Sequence, residues 1–342
     1  PIHRLLRMPR PGNFTDKRKR QENFMKHYRY GSSTAERTIN CPAWRGLADK
    51  MPPRPVGQAA VDGTAMHAVF ERAMLEPEFD PDAIIGLEVE DVIFTQEMAD
   101  KVWTAVELQD EFKLRHKLTV TPEQTLELTE IIGGTADLIG INHESNVIAI
   151  GDLKTGDGNM VAAENNSQLL FCAYLYLRTA LPDDFEVDSD TRFLLYIIQP
   201  SERRDDPLDL WDTDLKTVMD FGTRFIEAVE TAEKAMPKPT AGPHCKFCPA
   251  ETICPAKLDL VKNVARLKVG SMELDQLNEA LAIVDEVEDW CRAVRKLAHE
   301  QAEEGVRLEG WKLVDKRATR QWIDAGAVEE VARKKLKLRV KD

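Results

Sequence analysis

Gly151-Asp152-Leu153-Lys154-Thr155-Gly156 closes the apolar run Val147-Ile148-Ala149-Ile150, and a second acidic position, Asp137, stands upstream in Gly133-Gly134-Thr135-Ala136-Asp137. The run reads as a buried strand, and the period-two alternation of a strand puts Asp152 and Lys154 on the same side. Ile131–Ile141 and Val147–Lys154 then form a hairpin around Asn142-His143-Glu144-Ser145-Asn146, which makes Asp137 a cross-ladder neighbour of Asp152 and Lys154. Two carboxylates and a lysine suit metal-assisted phosphodiester cleavage. Their oxygens hold a hard cation such as magnesium or manganese with positions left for water and phosphate, while the ammonium of Lys154 orients the water or stabilises developing charge.

Outward from the hairpin, Ser32-Ser33-Thr34-Ala35-Glu36 reads as a helix start, and Pro52-Pro53-Arg54-Pro55 marks a loop into the segment carrying His67. Phe94–Lys117 reads as a long helix and Phe193–Gln199 as a further strand. Trp211–Met236 has helical spacing and covers the sheet before Pro237-Lys238-Pro239. From Leu258 to Glu304 the pattern is helical throughout, with Leu274, Leu277, Leu281, Val284, Val287 and Trp290 forming a stripe expected to pack on the body. Gly310–Val314 reads as a strand, and Trp311 and Trp322 as core anchors, with Arg317 and Arg320 offering contacts to DNA. These readings divide the chain into a basic arm (1–31), a central domain (32–257) and a helical extension with a small appendage (258–342).

Six cysteines fall into a pattern. Cys245, Cys248 and Cys254 stand among prolines in a tight metal-binding loop, and Cys41 supplies a fourth thiolate from near the start. Four thiolates suit tetrahedral zinc or an iron–sulfur cluster. Cys172 and Cys291 lie in helical patterns and read as buried small residues. With neither a signal peptide nor a membrane-spanning apolar run, the expected setting is a reducing cytoplasm, and an oligomer is open.

The hairpin residues resemble the PD-(D/E)XK nuclease superfamily, and within it the RecB-like branch of phage recombination exonucleases and CRISPR-associated nucleases. Gly63-Thr64-Ala65-Met66-His67-Ala68-Val69-Phe70-Glu71 is similar to that branch's helix in which a histidine joins the metal shell. Asn166-Ser167-Gln168-Leu169-Leu170-Phe171-Cys172-Ala173-Tyr174 resembles the helix after the catalytic strand, where Gln168 approaches the substrate backbone. Cys172 takes the usual tyrosine position, which leaves Tyr174 or Tyr176 as substitutes, although an ordinary packed helix is the preferred reading for both. One cysteine before the core and three after it match the iron–sulfur type, so the resemblance favours a 4Fe-4S cluster over zinc.

The fold implied is α/β: a restriction-endonuclease-like core with a central mixed sheet flanked by helices, a cysteine-knot metal site and a helical C-terminal extension. The activity implied is a metal-dependent deoxyribonuclease, an exonuclease at duplex ends. Asp137, Asp152, the Leu153 carbonyl and His67 would hold magnesium or manganese, and Lys154 would orient water or phosphate. The alternative is a catalytically silent scaffold that binds DNA or protein. The overall layout is also similar to an uncharacterised family of phage and prophage proteins, which implies a place beside a phage single-strand-binding or annealing protein.

Composition bounds these readings. A net charge of −13 over 342 residues argues against non-specific coating of nucleic acid. Basic residues are instead concentrated at the two ends, including Arg18, Lys19 and Arg20, where they can guide a duplex toward an acidic site. A Gly-rich nucleotide loop is missing, which leaves an ATP-driven helicase without support.

Overall fold

The computed structural model describes residues 28–314 apart from 53–55, 77, 202, 204, 235–236 and 267–273. Arg18, Lys19, Arg20, Arg317, Arg320 and Trp322 lie outside the described residues. The chain begins with short helices α1 (Ala35–Asn40) and α2 (Trp44–Ala48), followed by the long α3 (Gln58–Leu75). A small hairpin, β1 (Glu88–Val89) and β2 (Val92–Ile93), leads into α4 (Gln96–His116).

A five-stranded mixed sheet follows, built from β3 (Thr119–Thr129), β4 (Ile132–Asn142), β5 (Val147–Leu153), β6 (Arg192–Ile198) and β7 (Leu208–Asp214) in spatial order. Helix α5 (Ser167–Thr179) crosses from β5 to its parallel neighbour β6, and the other strand pairs are antiparallel. After β7 come α6 (Leu215–Lys234), α7 (Pro255–Val264) and α8 (Leu274–Glu303). The chain divides into two compact units between Asp289 and Trp290, within α8.

All seven residues of β5 are buried, because helices cover both faces of the sheet there. Ile148 and Ile150, with Phe193, Leu195 and Ile197, join the core that includes Phe171 of α5 and Phe221 and Phe225 of α6. Val147, Ala149 and Leu153 join the opposite core, with Val69 and Phe70 of α3 and Val102 and Phe112 of α4. The expected hairpin is present. Asn146 takes a left-handed φ of +51° at its turn, and Ser145 donates its backbone N–H to the Asn142 side chain at 3.1 Å.

Gly151 is required by a neighbour. It pairs with Tyr196, whose ring lies where a Cβ would stand only 2.3 Å away, and the Tyr196 hydroxyl donates to buried Gln109 at 2.8 Å. Gly151→Ala should destabilise the protein by about 1–3 kcal/mol through overpacking. Urea unfolding checks this, and an unchanged midpoint would mean that the ring moves aside freely.

Four sequence expectations need correction. Trp211 sits in β7 opposite Leu195, and the helix begins only at Leu215. Leu208, Trp211, Leu215 and Val218 recur at three- and four-residue spacing, so strand and helix read as one helix. Between Leu258 and Glu304 the helix is not continuous: α7 ends at Val264 and α8 starts at Leu274. Leu274, Leu277, Leu281 and Val284 are exposed, since spacing fixes a shared face and not its cover. Among the described residues, Gly310–Val314 forms no strand; Gly310 turns at φ +78° and Trp311 is 82% exposed. At the other end, Tyr30 is fully buried, pairs with Ile132 and donates its hydroxyl to Glu233 at 2.6 Å.

Candidate functional site

Parallel pairing brings the C-terminal ends of β5 and β6 side by side, where open α/β sheets place their sites. Asp152 and Lys154 share one side as their spacing requires, with the Lys154 ammonium 2.8 Å from Asp152 Oδ2. Asn166 caps α5 by accepting the backbone N–H groups of Gln168 and Leu169, which sets Gln168 in the first turn facing that pair. Gln168 Nε2 donates to Asp152 Oδ1 at 2.5 Å, and its Oε1 accepts from Lys154 at 3.1 Å. Both amide groups of Gln168 thus hold the acid–lysine pair in place.

The β4–β5 register, running through Leu138 and Gly151, carries Asp137 to Asp152, and Asp137 Oδ2 accepts the Leu153 N–H at 2.8 Å. His67 approaches from α3, its Nδ1 standing 3.6 Å from Asp137 Oδ2 and 3.6 Å from Glu123 Oε1. Gly63, one turn earlier on α3, lets the helix lie close to Thr155, whose hydroxyl would be 3.3 Å from a Cβ there. Among the described residues, His67, Glu123 and Asp137 form the group whose ligand atoms all lie within 4.8 Å of one another. Glu71, one turn on from His67, is outside it.

Glu123 has no counterpart in the sequence reading. Its φ of +47° is left-handed, and the β3–β4 pairing steps from Pro122–Leu138 to Gln124–Ala136 without it. This local irregularity brings the carboxylate to His67. A signal was present in Pro122, which marks β3 as an edge strand with a disturbed ladder.

Burial raises the Asp137 carboxyl, the charge of Asp152 raises it further, and His67 only partly offsets them, so it stands at about 7. For His67, burial opposes the charge, but the hydrogen bond to Glu123 and the carboxylates of Asp137 and Asp152 prevail and push it up to about 9. Burial also opposes the charge of Lys154, but Asp152 and Asp137 together raise it. Cys172 is buried, and burial drives its thiol upward, away from nucleophilic use. Tyr176 is buried, and the ring of Tyr174 lies against Gly222, where a Cβ would come within 2.1 Å of it; both tyrosines are packing residues, as expected.

The titration has a measurable consequence for metal binding. A cation on His67 and Asp137 must displace protons held up to about 9 and about 7, so affinity should rise with pH across that range. Manganese binding should release more protons at low pH than at high pH. Calorimetry in buffers of different ionisation enthalpy reads this directly, and a pH-independent affinity would remove both residues from the ligand set.

The four expected cysteines also converge. Cys41 follows α1, Cys245 ends a short 3-10 turn, and both line one pocket with Cys248 and Cys254, all four buried. Arg37 of α1 ties the segments together by donating to the carbonyls of His244 and Lys246. Cys254 stands at the N-cap of α7, with Pro255 following at the first helical position. His244 is hydrogen-bonded to Cys245 and Cys41, which pushes it up to about 10. Arg37, Lys257 and Glu251 also line the pocket, with Lys257 paired to Glu286.

No helix among the described residues is long and apolar enough to cross a membrane. Solved structures similar to this chain include SSO0001, at 12% identity and a TM-score of 0.24, over 63% of this chain and 95% of that one. An alkaline exonuclease (LHK-Exo) from Laribacter hongkongensis is similar at 10% identity and a TM-score of 0.26, over 58% and 91% of the two chains. Its complex with dAMP is similar at 8% identity, with the same TM-score and coverage. Residues 27–339 match the family described as Protein of unknown function (DUF2800), and the chain belongs to that family.

Proposed function

We propose that this chain is a divalent-metal-dependent deoxyribonuclease with a restriction-endonuclease-like core in residues 32–257. The observation that carries the reading is the meeting of two groups at the end of β5: His67, Glu123 and Asp137, and the Asp152–Lys154–Gln168 network. One imidazole nitrogen and half-buried carboxylate oxygens fit magnesium or manganese. His67, Glu123 and Asp137 would hold the cation, with Asp152 and the Leu153 carbonyl adjoining. When bound, it supplies charge compensation at phosphate and a lowered pKa for water.

Lys154 donates to Gln168 and pairs with Asp152 as an ion pair. Its remaining ammonium hydrogens are left to orient the attacking water or a phosphate oxygen. Gln168 keeps the lysine from rotating away, so the donor is fixed before substrate arrives. The substrate proposed is DNA at duplex ends, and the role an exonuclease in phage recombination beside a single-strand-binding or annealing protein. The resemblance of the motifs supports that role.

The cysteine pocket is proposed to hold a 4Fe-4S cluster, with zinc as the alternative. The order of the cysteines, one before the core and three after it, resembles the iron–sulfur type and supports the cluster over zinc.

End-labelled linear duplex, closed circular duplex and single strands, each incubated with magnesium or manganese, test the function. Linear duplex should be degraded from its ends and circular duplex should persist. Binding of all three without cleavage would establish the scaffold reading instead.

A further inference from the structure

Lys154 makes the last ladder contact of β5, donating its N–H to the Ile198 carbonyl at 2.8 Å. Beyond it, residues 155–163 leave the sheet and must return at Asn166 to start α5, so their path sets both ends of the catalytic network. Gly156 and Gly158 stand there with nothing within 4 Å of a Cβ, which leaves the segment wide backbone freedom. Gln199, the residue after β6, is 1% exposed and directs its whole amide at this loop. Nε2 donates to the carbonyls of Gly156 at 2.8 Å and Asn159 at 2.9 Å, and Oε1 accepts the N–H of Val161 at 3.0 Å. A buried amide is tolerated when fully bonded, and both donors and the acceptor of Gln199 are engaged by one loop.

We propose that Gln199 is a positioning residue of the nuclease reaction: by fixing residues 156–161 it holds Lys154 at one end of the loop and Gln168 at the other. The proposal rests on the nuclease reading. Asp209 assists by accepting the Ala163 N–H at 2.9 Å, just before the Asn166 cap. The three side-chain bonds of Gln199 go to Gly156, Asn159 and Val161, so its effect on the acid–lysine pair is transmitted through the loop.

The test uses the full-length chain with manganese and linear duplex, comparing Gln199→Met and Gln199→Glu with the parent. A misplacement of about 1 Å at a reacting group can lower a rate by about 10²-fold. Gln199→Met should lower kcat by about 10- to 100-fold per folded molecule and change KM by less than about threefold. In Gln199→Glu the ionised carboxylate repels the two carbonyls, whereas its protonated form donates to one of them. Its activity relative to the parent should therefore recover as pH falls from 8 to 5.5.

A role confined to stability would lower the folded fraction and leave kcat per folded molecule and the pH profile unchanged; either finding overturns the proposal. Hydrogen exchange at the Val161 amide, without metal or DNA, gives a separate reading. It should be at least about tenfold faster in Gln199→Met, and unchanged protection overturns the clamp. An inactive parent protein overturns the nuclease reading and the catalytic half of the proposal, while exchange still decides whether Gln199 holds the loop.

Discussion

Lys154→Ala is expected to lower kcat by about a thousandfold while the protein stays folded and retains most of its affinity for DNA. Removal of a single fixed donor to a developing charge typically costs about 10²–10³ in kcat, and here the loss is compounded. Asp152 is 4% exposed, and without the ammonium its Oδ2 keeps no ion-pair partner, so the carboxylate is destabilised beside Asp137. Lys154→Arg should not restore activity, because a planar guanidinium cannot replace a compact ammonium bonded to both Asp152 and Gln168. Single-turnover cleavage with circular dichroism separates catalysis from folding. Activity within tenfold of the parent would remove Lys154 from the chemistry.

The second large effect is expected at the cysteine pocket. Cys41 meets the Thr240 backbone across a separation of 199 residues, so a metal centre joining it to Cys245 closes a loop of about two hundred residues. Closing a loop of that length removes about 5 kcal/mol of denatured-chain entropy by analogy with disulfides. At about 2–4 °C per kcal/mol, Cys41→Ser should lower Tm by about ten degrees or more. Cys291→Ser, on α8 and not among the residues lining the pocket, is the control and should change little. Protein purified without oxygen should be brown and lose its colour in the Cys41 variant; colourless protein with stoichiometric zinc would establish the zinc alternative.

The hairpin was legible because two independent local signals agree there. An apolar run ends in Asp152 and Lys154, whose two-residue spacing alone fixes a common side, and Asn142–Asn146 carries turn chemistry. The cysteine pocket was legible from residue type and order. Trp211 was misassigned because its strand and the following helix together satisfy a helical period that neither needs. The exposure of Leu281 depends on what lies against α8, which no spacing within α8 encodes. Glu123 escaped because its place at the site depends on a backbone conformation that residue type alone disfavours. The job of Gln168 was legible only in part: its location follows from the helix cap, but its grip on Asp152 and Lys154 depends on how closely α5 crosses the end of β5.

The left-handed turn at Glu123 sets two requirements against each other. A non-glycine residue in that conformation carries a strain of about 1 kcal/mol or more, which glycine would relieve. Glycine, however, offers the cation nothing. Position 123 is thus a point where what is best for folding and what is best for binding are different residues, and the chain has kept the one that makes the strand less comfortable.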